Sequence, residues 1–364
     1  MKTKALLSLA IITGASLSLT PMMPGQQTAP AIPPDANAKM IELLQKVVLE
    51  RYPESDKDKD GKINGLEWAA LQQELKKRGA PPTALTPKPT EANAKYGPHE
   101  RNVLDFWKAD TKEPAPVLVF IHGGGFIAGS KEGVSSQAVL QCLANGVSFA
   151  SINYRYTTQA IYPAPMLDGA RAIQFLRSKA KEWNIDPKRI AAFGGSAGAG
   201  ISMWVGFHED LAKPDSSDPI ERESSRLRCV ATLGGQGTYD PLVIKEWIGM
   251  PPAQHPALIS FYGVKTFEDF SKPEVRKLAE DAAAMTHLSK DDPPLFMVYN
   301  EADEPVPSDA KPGFAIHHPI FGHKLKERMD ALGIENIYRH TDDKKSPPAH
   351  QAMMEWLIGK LKAE

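Results

Sequence analysis

Two glycine-rich segments and one serine carry the clearest chemistry in this chain. Phe120-Ile-His-Gly-Gly-Gly-Phe126 ends one apolar run, and Phe193-Gly-Gly-Ser-Ala-Gly198 ends another. In the second, Gly194, Ser196 and Gly198 form G-x-S-x-G, the pattern of a sharp strand-to-helix turn that displays a serine hydroxyl. The small residues Ala197, Gly198, Ala199 and Gly200 follow it, as the start of a closely packed helix requires. Without Cβ atoms in the way, backbone N–H groups can face a reacting carbonyl, which makes those of Gly124, Gly125 and Ala197 candidate oxyanion donors. The chemistry is acyl transfer with Ser196 as nucleophile. A phosphate cradle is the competing use of such glycines, but the Lys-Ser/Thr pair of a P-loop follows neither cluster.

A second group of residues points to a metal. Residues 56 to 67 read Asp-Lys-Asp-Lys-Asp-Gly-Lys-Ile-Asn-Gly-Leu-Glu. Asp56, Asp58 and Asp60 can turn side-chain oxygens towards one ion, and Gly61 permits the tight turn. Lys62 needs to offer only its carbonyl, Asn64 can act through water, and Glu67 can give two oxygens. The ion that takes such an all-oxygen set is Ca2+. A solvated turn of alternating charge is the plain alternative, and it does not account for a match at every ligand position.

These groups need elements to position them. Met40, Leu43, Leu44, Val47 and Val48 recur at helical spacing over 35–51 behind Asp35, a suitable N-cap. Leu66, Ala69, Leu71 and Leu75 mark a second helix over 65–78, so helices flank the acidic loop. Gly79 and Pro81, Pro82, Pro87 and Pro89 then read as a linker. From Tyr96 short β-branched runs alternate with helical stretches, the texture of a parallel sheet with crossover helices. The expected strands are 117–122, 147–153, 189–193, 229–233, 295–299 and 336–340. The organisation is therefore a leader over 1–29, a calcium-binding module over 35–79, a Pro-rich linker over 80–95 and a catalytic domain over 96–364.

Composition supports a folded enzyme. The 364 residues are 42% apolar and 24% charged, enough to bury a sizeable core. With 43 basic against 44 acidic residues the net charge is −1, so no positive field is available for nucleic acid. Lys2 and Lys4 before the apolar run 5–19 have the layout of an export signal, which implies a secreted or periplasmic protein. No membrane span is expected. Cys142 and Cys229 lie in separate apolar segments that read as core, which suits two buried thiols at least as well as one disulfide.

With its motifs in this order, the chain resembles the α/β-hydrolase superfamily, specifically the HGGG-type esterases related to hormone-sensitive lipase and to feruloyl or acetyl-xylan esterases. The likeness extends over 96–362 and includes Ile152-Asn-Tyr-Arg-Tyr156 and Tyr162-Pro-Ala-Pro165 leading to Asp168. Residues 56–67 resemble the EF-hand family, although the hand is single. The resemblance implies an α/β-hydrolase fold, a mostly parallel sheet flanked by helices, behind a small helical EF-hand module. It also implies a nucleophile–acid–histidine order. Asp303 then matches the acid, with Glu301 and Glu304 as competitors. His350, ahead of the last helix, matches the base, with His340 as runner-up. Residues 308–323 read as an insertion whose His317, His318 and His323 line the pocket, bind a metal or simply pack, and His122 props the glycine loop.

The implied activity is that of a secreted serine carboxylic-ester hydrolase with Ser196, Asp303 and His350 as its triad and no organic cofactor. Small esters or acetyl and feruloyl groups on carbohydrate are the implied substrates, with Tyr239, Trp247, Phe261 and Tyr262 as pocket wall or core. Two alternatives remain open: a calcium-dependent binding protein on a retired hydrolase scaffold, or a serine peptidase of the same fold.

Overall fold

The computed structural model describes residues 34–81, 83–249, 253–311, 313 and 315–363. The leader expected over 1–29 lies outside them. Helix α1 (Pro34–Arg51) and helix α2 (Gly65–Lys77) flank the acidic loop, with Val48, Ile63 and Leu71 buried between them. α2 starts where its sequence allows. Asn64 accepts from the N–H groups of Leu66 and Glu67 while Glu67 reaches back to the Asn64 N–H, a reciprocal cap that satisfies three otherwise orphan donors.

The remainder is one sheet of eight strands: β1 (Glu91–Lys95), β2 (Val103–Trp107), β3 (Ala115–Ile121), β4 (Ser148–Ile152), β5 (Ile185–Gly195), β6 (Val230–Leu233), β7 (Leu295–Tyr299) and β8 (Asn336–His340). Their order is β1-β2-β4-β3-β5-β6-β7-β8, with β2 antiparallel to both its neighbours and every later pairing parallel. β1 corrects the linker boundary, because residues 91–95 belong to the sheet. Glu-Ala-Asn-Ala-Lys is a mostly exposed edge strand with no β-branched residue, so neither propensity nor alternation marks it.

Helices cover both faces: α3 (Ser136–Ala144), α4 (Ala164–Ser178), α5 (Ala180–Trp183), α6 (Ala197–Phe207), α7 (Pro241–Ile248), α8 (Pro256–Tyr262), α9 (Pro273–Ala282), α10 (Ile320–Leu332) and α11 (Ala349–Lys362). The two-residue period of β3 divides the core. Val117, Val119 and Ile121 join the residues of α4, α6, α9 and α10, whereas Leu118 joins those of α3 and α11. α1 lies against α3, and its Leu43 packs on this second cluster, so the helix–loop–helix module docks on the sheet's α3–α11 side. Among the described residues no helix is long and apolar enough to cross a membrane.

Candidate active site

Ser196 stands between β5 and α6 at φ 52° and ψ −118°, a backbone region that L-residues avoid. Two close approaches hold the turn. A Cβ on Gly194 would lie 2.5 Å from the Ile121 carbonyl oxygen, and one on Gly198 would lie 2.0 Å from that same atom. Only glycine lets β5 and α6 come this near to the end of β3. The Ser196 N–H is anchored on the Leu233 carbonyl at 3.0 Å, and the Ser196 carbonyl accepts from Gly200 N–H as the helix begins.

The glycine loop after β3 reaches the same place. A Cβ on Gly123 would come within 3.6 Å of Ser196 Cβ, and Gly124 and Gly125 follow with positive φ. Among the described residues, no protein acceptor takes the N–H groups of Gly124, Gly125 or Ala197. His122 supports this loop. Its ring stacks on Tyr154 with centroids 4.2 Å apart, Nδ1 meets the Gly123 carbonyl at 2.7 Å and Nε2 meets Arg101 at 3.2 Å. Burial drives its pKa down to about 4, so at neutral pH it is an uncharged prop.

The partner of the serine is a histidine given no definite role from the sequence. His317 Nε2 lies 2.8 Å from Ser196 Oγ. Burial lowers the His317 pKa, and the negative charge of Glu301 works in the opposite direction. Gln236, itself buried, donates to the Ile316 carbonyl at 2.8 Å and so fixes the residue before the base. His255, the N-cap of α8, is close enough to His317 for its pKa to be lowered by it, after the larger effect of burial. Neither Gln236 nor His255 stands in a pattern that sequence reading exploits.

The expected base and acid are placed elsewhere. His350 is exposed in the first turn of α11, and Ser196 Oγ is bonded to His317 instead. The runner-up, His340, is turned to the Glu301 carbonyl at 2.9 Å. Asp303 is held by His323, 2.7 Å from Oδ2 to Nε2, with that imidazole stacked on Tyr338. His318 is buried and spans the Glu304 carbonyl and the Ile320 N–H. The physical reason for the correction is the long excursion after β7. It returns a histidine to the serine before α10 begins, so the chain beyond β8 is not needed to complete the pair. Tyr239, Phe261 and Tyr262 are core residues, whereas Trp247 borders an open groove of about 720 Å3 with Ile248, Asp303, Pro305, Val306 and His318. Ser196 does not line that groove.

Three acidic side chains of the loop after α1 also converge. Oxygens of Asp56, Asp58 and Asp60 lie within 4.8 Å of one another, and Gly61 turns at φ 77°. Asp56 and Asp60 accept the N–H groups of Gly61 and Lys62, and Glu67 accepts that of Lys57 at 2.7 Å. Lys62 itself contributes only backbone here.

The model of the BD-FAE family matches residues 104–314, more than half of the chain. The chain belongs to the BD-FAE family. The matched stretch runs from β2 through the glycine loop, Ser196 and the acidic residues after β7, and stops three residues short of His317. Among curated proteins, the chain is similar to the probable carboxylic ester hydrolase LipM of Mycobacterium tuberculosis, 28% identical over 62% of this chain and 50% of that one. A probable isoprenylcysteine alpha-carbonyl methylesterase of Arabidopsis thaliana, ICMEL2, is 29% identical over 60% and 50%. The chain thus spans about half the length of the curated relatives it matches. Among solved structures, a truncated carbohydrate esterase from gut microbiota superposes with a TM-score of 0.57 at 19% identity, covering 76% of this chain and 98% of that one. An acetyl ester-xyloside bifunctional hydrolase from Caldicellulosiruptor lactoaceticus gives 0.55 at 22% identity, over 70% and 86%. At these identities the structures establish the α/β-hydrolase fold.

Proposed function

We propose that this BD-FAE protein is a serine carboxylic-ester hydrolase in which His317, not His350, is the base. The observation that carries the reading is the 2.8 Å pair of Ser196 Oγ and His317 Nε2 on a strained elbow beside unpaired backbone donors. His317 Nε2 takes the serine proton as Oγ attacks the ester carbonyl carbon. The carbonyl oxygen becomes an anion held by the N–H groups of Gly124, Gly125 and Ala197. When the tetrahedral intermediate collapses, the same proton passes to the departing alcohol. Water then repeats the sequence on the acyl-enzyme, and the acid leaves. Glu301 is the carboxylate that favours the imidazolium, since its charge raises the His317 pKa while Asp303 is committed to His323.

The substrate reading is a small or carbohydrate-linked acetyl or feruloyl ester. The groove with Trp247, Pro305 and Val306 beside the base loop supports it, because flat apolar faces suit the faces of sugar rings. The converging carboxylates of Asp56, Asp58 and Asp60 fit a calcium ion, and Glu67 and the Lys62 carbonyl match it by donor type and position in the loop. Asn64 Oδ1 already serves two helix N–H groups, so it reaches the ion through water. Calcium there secures the α1–α2 module and takes no part in the ester chemistry. Export to a calcium-containing medium agrees with both proposals.

The test is turnover of p-nitrophenyl acetate and of acetylated and feruloylated xylo-oligosaccharides, with labelling by a serine-directed phosphonate mapped to Ser196. A protein inert to every ester and to the phosphonate would falsify the reading.

A further inference from the structure

At the far end of α6 from Ser196, three metal-ligating side chains meet that the ester chemistry does not use. His208 follows the last residue of α6, Asp281 lies in the last turn of α9, and His287 follows the short 3-10 turn Ala284–Thr286. One donor atom from each lies within 4.8 Å of the other two. The two imidazole centroids are 4.6 Å apart, and His287 Nε2 is 3.9 Å from Asp281 Oδ1.

The surroundings already orient these groups. The His208 ring packs on Trp204 at a 35° tilt with centroids 4.2 Å apart, and its Nδ1 faces the Glu209 carbonyl at 3.1 Å. A carbonyl only accepts, so Nδ1 carries the proton and Nε2 is left with its lone pair. The Tyr162 hydroxyl donates to Asp281 Oδ2, leaving Oδ1 for another partner. His287 Nε2 donates to the Asp281 carbonyl at 2.7 Å, which Trp204 Nε1 also reaches at 3.0 Å. His287 Nε2, which faces Asp281, becomes a ligand once an ion displaces that bond and the ring proton moves to Nδ1. Hydrogen bonds from the non-ligating atom to a carbonyl or hydroxyl are the usual supports of metal-binding imidazoles and carboxylates.

We propose that His208, Asp281 and His287 bind one first-row transition-metal ion of the zinc class, with water completing the shell. Two nitrogens and one carboxylate oxygen suit Zn2+ and not Ca2+, so this site and the acidic loop after α1 select different ions. The ion clamps the end of the nucleophile helix to the corner that joins α9 to the chain before β7.

The experiment uses the full chain, stripped with chelator and then saturated with calcium. Zn2+ is titrated by calorimetry, thermal unfolding is followed with and without Zn2+, and Co2+ is added as a coloured substitute. One Zn2+ should bind per chain, raise the unfolding midpoint by about 5 °C at saturation and give way to Co2+ with visible bands of nitrogen-containing tetrahedral coordination. His208→Gln and His287→Gln should each abolish the binding and the shift while ester turnover stays at the wild-type level. Wild-type protein that takes no Zn2+, or that gives no such Co2+ bands, overturns the proposal even if a variant fails to fold. So does Zn2+ binding that survives both substitutions, that calcium displaces, or that vanishes in His317→Ala instead.

Discussion

The two halves of the Ser196–His317 pair are held in different ways. Ser196 sits where three backbone segments touch, and the end of β3 leaves no room for a Cβ at Gly194 or Gly198. His317 arrives on an irregular excursion between β7 and α10, fixed by a hydrogen bond from Gln236 to the preceding carbonyl and by the grip of buried His318 on Glu304. One half is positioned by exclusion of volume, which tolerates nothing. The other is positioned by a few polar contacts, which can be weakened one at a time. Rigid and adjustable halves meeting at 2.8 Å are a common economy in active sites, because a precise nucleophile can then serve with a base loop that varies between relatives.

The sharpest way to break this contrast is to add one methyl group to each half. Gly198→Ala drives a Cβ to 2.0 Å from the Ile121 oxygen and should abolish folded, soluble protein. Gly313→Ala, whose Cβ among the described residues would meet only His255 Nε2 at 4.0 Å, should express and melt as wild type. Equal melting of the two variants would refute the distinction.

Removing the reacting groups comes next. Ser196→Ala and His317→Ala should each lower kcat/KM by about 10^4-fold or more, with circular dichroism unchanged, while His350→Ala retains wild-type kinetics. A collapse in His350→Ala with a live His317→Ala would return the base to His350 in the first turn of α11.

A smaller effect separates the carboxylates. Glu301→Gln should cost roughly tenfold to a hundredfold in kcat, within the usual range for support of a general base, and Asp303→Asn much less. The pH profile carries the sign. The base must be neutral to accept the serine proton, and burial lowers its pKa, so the acid limb of kcat/KM should lie below the ordinary histidine value of about 6.5. Glu301 raises that pKa, so Glu301→Gln should move the limb to still lower pH. A limb that shifts in Asp303→Asn instead would make Asp303 the supporting acid.

Calcium removal should be the mildest change. Chelation leaves crowded carboxylates after α1 and should lower the unfolding midpoint of the α1–α2 module by a few degrees, with kcat unchanged within twofold. A matching loss of kcat would show that the module reaches the ester site.

The same contrast decided what could be read from sequence. Volume exclusion writes itself in residue type, so Gly194, Ser196, Gly198 and the glycines after β3 announced their geometry. The five inner parallel strands were legible for the same reason, since a doubly covered strand is apolar almost throughout, and β8 at the far edge showed itself only by its place after a helix. Polar contacts leave weaker traces. Nothing in Ala315-Ile-His-His-Pro319 tells which histidine turns to Ser196 and which is buried against Glu304. β1 was hidden because an exposed edge strand need not be apolar, and β2 because one short run beside it gave no alternation. The meeting of His208 with Asp281 and His287 was hidden by distance along the chain.

The two cysteines give the fold a last property. Cys142 in α3 and the Cys229 next to β6 are free, fully buried members of the cluster beneath α11. Burial pushes the Cys229 thiol up to about 12 and raises that of Cys142 as well, so neither forms thiolate at ordinary pH. Maturation therefore requires no oxidant and no disulfide isomerase. Glutathione therefore finds no reactive thiol on the folded chain, whose two cysteines keep the same covalent state whatever the redox poise around it.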